Sequence, residues 1–390
     1  MKTETTPRPP VLTRRSALKT LAKGGLGLTL LGTGAFSLRA ASAATTPDGR
    51  KKLGVALVGL GNYSTARLAP SLRETQWCEL RGIVSGTAAK RAQWAKDFNL
   101  SATSIYDYEH FDAIADNPDI DIVYVVLPNF LHAEYTIRAA RAGKHVICEK
   151  PMGMTPEECR QMIAACRDAR RQLSIGYRLR FDPFHREVMR LGQEKIFGVV
   201  KLIQASLGFN YGNPQSWRFK LKEGGGGAIM DLGVYCVEAA RYVTGENPTR
   251  VTAQAYTVEK DRDIEVPDTY HFQMEFPGGA VSTHTVSSIT YVDRLYAATA
   301  QGRGWFELEP AFQDGTTAPI GRTSEGPMKI DHVNQTTVQM DDFARCILEG
   351  RATRASGEEG LTDLIVLSAI KEAARTGQPS TCVYDSARSA

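Results

Sequence analysis

From residue 53 onward the chain alternates short unbroken apolar runs with longer stretches whose apolar residues recur every three or four positions. Runs of the first kind suit buried strands, and stretches of the second kind suit amphipathic helices. The pattern predicts strands over 53–59, 79–84, 121–126 and 145–149, with helices near 64–74, 88–98, 131–142 and 155–170 between them. Such a βαβ series builds an α/β, doubly wound parallel sheet. The last of these helices carries a full start signal: Thr155 at the N-cap, Pro156 at the first helical position and Glu158 three residues past the cap. After Gly176 longer stretches rich in Val, Thr, Tyr and Phe predict strands over 199–210, 250–258, 269–276, 280–288 and 295–308. Pro277-Gly278-Gly279 and Gly302-Arg303-Gly304 sit where hairpin turns are needed. A glycine run, 224–227, leads into a helix over 228–244 that Gly245 and Pro248 stop, and helices near 335–349 and 360–376 close the chain. This half reads as an α+β domain with a large, mostly antiparallel sheet. The expected organisation is a leader over 1–43, a linker over 44–52, a first domain over 53–176 and a second over 177–390, with the final helices packing back on both.

The leader changes how the charge is read. Of the chain's 390 residues, 47 are basic and 43 acidic, but the first 43 hold seven Lys/Arg against one acid, Glu4, leaving 40 basic and 42 acidic residues beyond them. The mature chain has no diffuse cationic field and no basic stripe interleaved with aromatics, so nucleic acid is not an expected partner. Thr13-Arg14-Arg15-Ser16-Ala17-Leu18-Lys19, a weakly apolar stretch over 24–38 and Ala41-Ser42-Ala43 as a cleavage site read as an export signal. It resembles a twin-arginine signal, with Ala17 where Phe is usual. The apolar stretch is too short for a bilayer core of about 30 Å, so membrane insertion of the mature chain is not expected. The expected address is the periplasm, reached through the twin-arginine machinery, which carries folded proteins with their cofactors inside. Seven widely spaced cysteines with no CxxC pair and no Cys/His cluster predict neither a disulfide framework nor a metal site.

Gly59-Leu60-Gly61-Asn62-Tyr63-Ser64 follows the first strand and opens the first helix, the context a dinucleotide fingerprint requires. Glycines there let backbone amides approach a pyrophosphate at the positive helix end. The first domain is therefore expected to be a Rossmann domain. After the second strand the chain reads Val84-Ser85-Gly86-Thr87 with Lys90 and Arg91 following, where an NAD enzyme presents a carboxylate to the ribose. Hydroxyls and cations attract a 2′-phosphate, so NADP is expected, with Ser85, Thr87 and Lys90 as binders; the alternative is that Lys90 and Arg91, Arg91 in particular, form only a solvated helix face.

Leu127-Pro128-Asn129-Phe130-Leu131-His132 and Cys148-Glu149-Lys150-Pro151 lie at carboxyl ends of predicted parallel strands, where ligands bind in such sheets. With Gly176-Tyr177-Arg178, Phe181-Asp182-Pro183, the run from Gly225 through Ala228, Asp231 and Tyr235, Glu358-Glu359-Gly360 and Glu372 to Gly377, they make the chain resemble the glucose-fructose oxidoreductase, inositol dehydrogenase and MocA (Gfo/Idh/MocA) family. The resemblance runs from about Leu53 to beyond Arg375. It implies Lys150 beside the nicotinamide, hydrogen-bonding the reacting oxygen, Tyr235 as general acid/base and Asp231 as a sugar ligand that orients Lys150. Asp231 and Tyr235 are four apart on one predicted helix and can address the same sugar. As a proton acceptor a tyrosine needs a cation such as Lys150 nearby. Tyrosine at the second position, where many relatives have histidine, resembles the aldose-type members. The resemblance also implies cofactor contacts from Gly59, Gly61, Asn62, Tyr63, Gly86, Tyr106, Leu127, Pro128, Asn129, His132, Glu149 and Arg178, and sugar contacts from Trp217 and Arg178.

Free NADP is scarce outside the cytoplasm, so an exported enzyme needs a tightly bound cofactor that a second substrate regenerates in place. The expected chemistry is ping-pong: an aldose oxidised at C1 to its lactone, then a second sugar reduced to an alditol. By the resemblance the pair is glucose and fructose, or aldoses on both sides. The alternatives are an NAD(P)-dependent glycoside hydrolase of the same family and a non-catalytic sugar-binding protein, and a homodimer is expected by resemblance alone.

Overall fold

A computed structural model describes residues 45–302, 304–313 and 318–385. The leader expected over 1–43 lies outside them. Residues 45–51, expected as a linker, form a tight turn closed by a Thr45/Lys51 bridge, and Arg50 anchors it to the Leu348 carbonyl at 3.1 Å.

The first sheet has six parallel strands: β1 (Leu53–Val58), β2 (Cys78–Val84), β3 (Ile105–Tyr106), β4 (Ile122–Val125), β5 (His145–Cys148) and β6 (Leu173–Ile175). Their order, β3-β2-β1-β4-β5-β6, reverses direction at β1, and ligands bind above that switch point. Both faces are covered, which is why β1 reads as an unbroken apolar run. Val55 and Leu57 face a layer that includes Met340, Phe343 and Ala344, while Ala56 and Val58 face the core shared with the rest of the chain. Strands β3 and β6 were not predicted; at two and three residues they are too short to show a period.

The second sheet holds β7 (Val200–Gly208), β8 (Arg250–Tyr256), β9 (Thr269–Glu275), β10 (Val281–Ser287), β11 (Val292–Thr299), β12 (Trp305–Leu308), β13 (Gly321–Thr323), β14 (Gly326–Pro327) and β15 (Ser380–Thr381). Its order is β14-β13-β12-β11-β7-β10-β9-β8-β15, antiparallel except for β7 beside β10. Burial alternates with period two: Tyr270, Phe272 and Met274 point inward while His271, Gln273 and Glu275 do not. The single strand expected over 295–308 is two, β11 and β12, which pair antiparallel so that Leu295 stands opposite Leu308. A helix at Pro183–Gln193 was also not predicted, although Asp182 caps it by accepting the His185 amide and Pro183 opens it.

The helix Gln335–Glu349 returns to the first sheet. Gln339 donates to the Tyr124 hydroxyl at 2.9 Å, and Asp341 accepts the Trp77 amide at 2.8 Å. The helix expected over 228–244 begins as a wider turn, Ile229–Gly233, and becomes α-helical at Val234–Thr244. Gly225, Gly226 and Gly227 all have positive φ, and a Cβ at Gly227 would stand 2.8 Å from the Pro267 carbonyl oxygen. Only glycine makes this entry.

Candidate active site

On the cofactor side, Gly59 has φ 96°, and a Cβ there would lie 2.3 Å from the Val126 carbonyl oxygen. A Cβ on Gly61 would meet nothing within 4 Å, so this loop is open there. Ser64, at the third fingerprint position, turns its hydroxyl inward to the Gly59 carbonyl at 2.5 Å and closes the loop. Asn62 is exposed. Burial pushes the Tyr63 hydroxyl pKa well up, with Glu149 adding to it.

Beyond β2, Gly86, Thr87 and Lys90 are exposed, but Ser85 is buried and its hydroxyl accepts the Thr87 amide at 3.3 Å. Lys90 reaches the Leu60 carbonyl at 3.1 Å, joining the two loops that would flank the cofactor. Arg91 folds back onto the Ser85 carbonyl rather than standing as a purely solvated side chain. Tyr106 is a core ring whose hydroxyl donates to the Thr103 carbonyl at 2.8 Å and accepts from Asn117.

Above β4, Leu127 packs close to Gly59 and Pro128 is half-buried. Asn129 and His132 are buried and hold main chain. Asn129 donates to the Gly224 carbonyl at 2.9 Å, tying this loop to the glycine turn before Asp231. The His132 ring spans two carbonyls, Leu127 and Pro151, each at 2.8 Å. Glu149 accepts the Tyr124 hydroxyl at 2.7 Å and the Lys150 amide at 3.3 Å, and burial raises its pKa.

Lys150 and Asp231 meet although 81 positions separate them. The Lys150 Nζ donates to Asp231 Oδ1 at 2.7 Å and to the Asp231 carbonyl at 2.8 Å. Their side chains are only 11% and 12% exposed. Asp231 Oδ2 accepts the Tyr211 hydroxyl at 2.5 Å and Arg218 Nε at 2.7 Å. Burial alone would raise the Asp231 pKa, but Lys150 and Arg218 outweigh it and hold the carboxyl well below the usual carboxylate range. Burial likewise opposes the ammonium, yet Asp231 leaves the Lys150 pKa above its ordinary value. The Tyr235 ring lies beneath two cations, 4.6 Å from Lys150 Nζ and 5.3 Å from the Arg178 guanidinium carbon.

Arg178, expected against cofactor and sugar, is buried and donates to the Gln313 carbonyl, to the Phe312 carbonyl at 2.8 Å and to Gln335 Oε1 at 2.5 Å. Its place is to fix residues 312–313 and pack Tyr235. Trp217 is half-buried, with the Arg218 guanidinium 4.5 Å over its ring. Tyr211 was not expected at the site, and Arg218 stood out in the sequence only as the neighbour of Trp217. Tyr211 lies on an irregular stretch and Arg218 in the short 3-10 turn Trp217–Phe219, and no spacing rule links either position to Asp231. Among the described residues, no group of three His, Cys, Asp or Glu is placed to hold a metal ion.

Two sequence profiles match the chain: an oxidoreductase family with an NAD-binding Rossmann fold over residues 53–177, and the GFO/IDH/MocA C-terminal domain over residues 185–306. The chain belongs to the Gfo/Idh/MocA oxidoreductase family. It is an oxidoreductase with a nicotinamide-dinucleotide domain, and the open Gly61 loop fits such a cofactor. The aldose-aldose oxidoreductase of Caulobacter crescentus, solved with glycerol, is 40% identical and superposes with a TM-score of 0.82, over 85% of this chain and 100% of that one. A D-xylose 1-dehydrogenase [NADP(+)] from Haloarcula marismortui is 28% identical over 88% of this chain and 96% of its own length. A 1,5-anhydro-D-fructose reductase from Ensifer adhaerens is 27% identical over 83% of this chain and 96% of its own length.

Proposed function

We propose that this oxidoreductase acts on sugars, keeps NADP bound between turnovers, oxidises one aldose at C1 to its lactone and reduces a second sugar to an alditol. The observation that carries the reading is the Lys150 ammonium, 2.7 Å from Asp231 and 4.6 Å from the Tyr235 ring centroid, at the carboxyl end of the Rossmann sheet. The sugar dehydrogenases and the aldose-aldose oxidoreductase among its relatives support the substrate class.

When bound, NADP accepts a hydride and returns it. The protein handles oxygen and proton. In the first half-reaction the donor's C1 hydroxyl passes its proton to Tyr235, which enters this step with its phenol oxygen deprotonated, while Lys150 hydrogen-bonds the developing alkoxide. In the second, Tyr235 returns that proton to the oxygen of the acceptor's carbonyl as carbon takes the hydride, so proton and hydride leave and arrive together. Asp231 stays ionised, keeps Lys150 charged and offers its lone pairs to a sugar hydroxyl. Thr87 and Lys90, exposed just beyond β2, with Arg91 next to them in sequence, are the residues that would hold a 2′-phosphate.

The leader supports twin-arginine export to the periplasm, where retention of NADP gives the enzyme independence from a free pool. The open face of the second sheet, carrying Gln204, His271, Gln273, Thr285 and Arg294, offers a surface for a second copy. The test is direct. Protein from the periplasm, extensively dialysed, should release about one NADP per chain; adding an aldose should raise absorbance near 340 nm, and adding a second sugar should abolish it as lactone and alditol accumulate. Apo-protein, or no absorbance change across a panel of aldoses, overturns the proposal.

A further inference from the structure

We infer that Arg218 is a positioning residue: with Tyr211 it occupies one oxygen of Asp231, so that the other is held for Lys150. This rests on the sugar reading above for its kinetic consequence, and on geometry for the clamp itself.

Asp231 receives three side-chain donors on two oxygens. Oδ1 is given to Lys150 at 2.7 Å, and Oδ2 to Arg218 Nε at 2.7 Å and the Tyr211 hydroxyl at 2.5 Å. A carboxylate held on one oxygen alone can rotate about its last torsion, and the ammonium follows it. Contacts on both oxygens remove that freedom. The added donors are well chosen, because a guanidinium stays charged at any working pH and cannot take the carboxylate's place as a proton carrier. Proton handling is thereby left to Tyr235.

The clamp also has a location that matters. Arg218 is anchored from its own side: its guanidinium lies 4.5 Å over the Trp217 ring, and its amide is capped by Ser216 Oγ at 3.4 Å. Tyr211 is packed between Phe209 and Phe219, whose rings are tilted against it with centroids 4.8 Å and 5.6 Å away. The stretch from Phe209 to Phe219 therefore bears on Lys150 through Asp231. A sugar pressing on Trp217 presses on the residue that sets the catalytic ammonium.

The experiment uses the full enzyme with bound NADP and compares wild type, Arg218→Met, Arg218→Lys, Asp231→Asn and the Arg218→Met/Asp231→Asn double variant. Single-turnover reduction by D-glucose or D-xylose is read at 340 nm, with unfolding midpoints and NADP content measured on the same samples. Displacing a reacting group by a fraction of an ångström costs about 10- to 100-fold in rate. Arg218→Met should lose that much in the hydride step while retaining NADP, and Arg218→Lys should recover part of it. On the Asp231→Asn background the Arg218 change should add nothing. Multiplicative rate losses together with additive midpoints overturn the inference, as does an Arg218→Met enzyme at the wild-type rate. A wild type inert toward every aldose sinks the sugar reading instead; the midpoints of the four-protein cycle then decide the clamp, non-additivity retaining it and additivity removing it.

Discussion

The same small substitution at two glycines should fail in opposite ways. At Gly176 a new Cβ would lie 2.7, 2.7 and 2.8 Å from the carboxyl carbon and two oxygens of Glu149. Ordinary contact begins near 3.4 Å, so the carboxyl must retreat by about 0.7 Å. It has no easy retreat. Tyr124 holds one oxygen at 2.7 Å and is itself held by Gln339 at 2.9 Å, while the other oxygen accepts the Lys150 amide at 3.3 Å. Overpacking of this kind costs about 1–3 kcal/mol. For a chain of this size that is a fall of roughly 1–2 °C in Tm per kcal/mol. Because Glu149 adjoins Lys150, the hydride step should slow too, by about tenfold. At Gly61 the new methyl meets no protein atom within 4 Å. Gly61→Ala should leave Tm of the apo-protein unchanged within about 1 °C and instead weaken NADP binding, because the methyl stands where backbone must approach pyrophosphate. Differential scanning fluorimetry with and without NADP, and titration of apo-protein with the cofactor, separate the two effects. A Gly176→Ala protein with wild-type Tm and rate would show that Glu149 moves freely, and a Gly61→Ala protein with wild-type NADP affinity would remove that loop from the cofactor site.

Tyr235→Phe removes one oxygen from a well-packed ring and should slow both half-reactions by about a hundredfold to ten-thousandfold, read by stopped-flow absorbance in each direction; loss of one alone would assign the other sugar's proton to a different group. Lys90→Ala or Arg91→Ala should each lower NADP affinity by more than NAD affinity, by roughly tenfold where a charge-assisted contact of about 1.5 kcal/mol is lost, and equal losses for the two cofactors would place the phosphate elsewhere. Burial, reinforced by Asp363, lifts the Glu238 carboxyl pKa well above its ordinary value, so the folded state keeps a proton that the unfolded chain releases near pH 4.3. That contribution is whole below the unfolded value and is lost as pH rises; Glu238→Gln should therefore gain in Tm relative to wild type from pH 5 to pH 8, and a constant or shrinking difference would refute the protonated state.

Local chemistry made much of this protein readable as a string. Buried parallel strands need unbroken apolar runs, and helices between them need a period near 3.6, so β1, β2, β4 and β5 and their helices stand out. The Gly59 to Ser64 loop and the capped start at Thr155 are likewise set by neighbours in sequence. The separation of Asp231 from Tyr235 is local as well, although the wider turn at Ile229–Gly233 needed the glycine entry to be seen. Strands β3, β6, β13, β14 and β15 are two or three residues long, and pairing partners rather than composition create them. The helix at Pro183–Gln193 is set locally too, with its start signal in Asp182 and Pro183. The site itself divides the same way. Residue type nominated Lys150, Asp231 and Tyr235, but only the fold could bring an ammonium to a carboxylate 81 positions away and add Tyr211 and Arg218 to it. Only the fold, too, could turn Asn129, His132 and Arg178 onto main-chain carbonyls, because which buried donor finds which acceptor depends on packing across elements rather than on spacing along the chain.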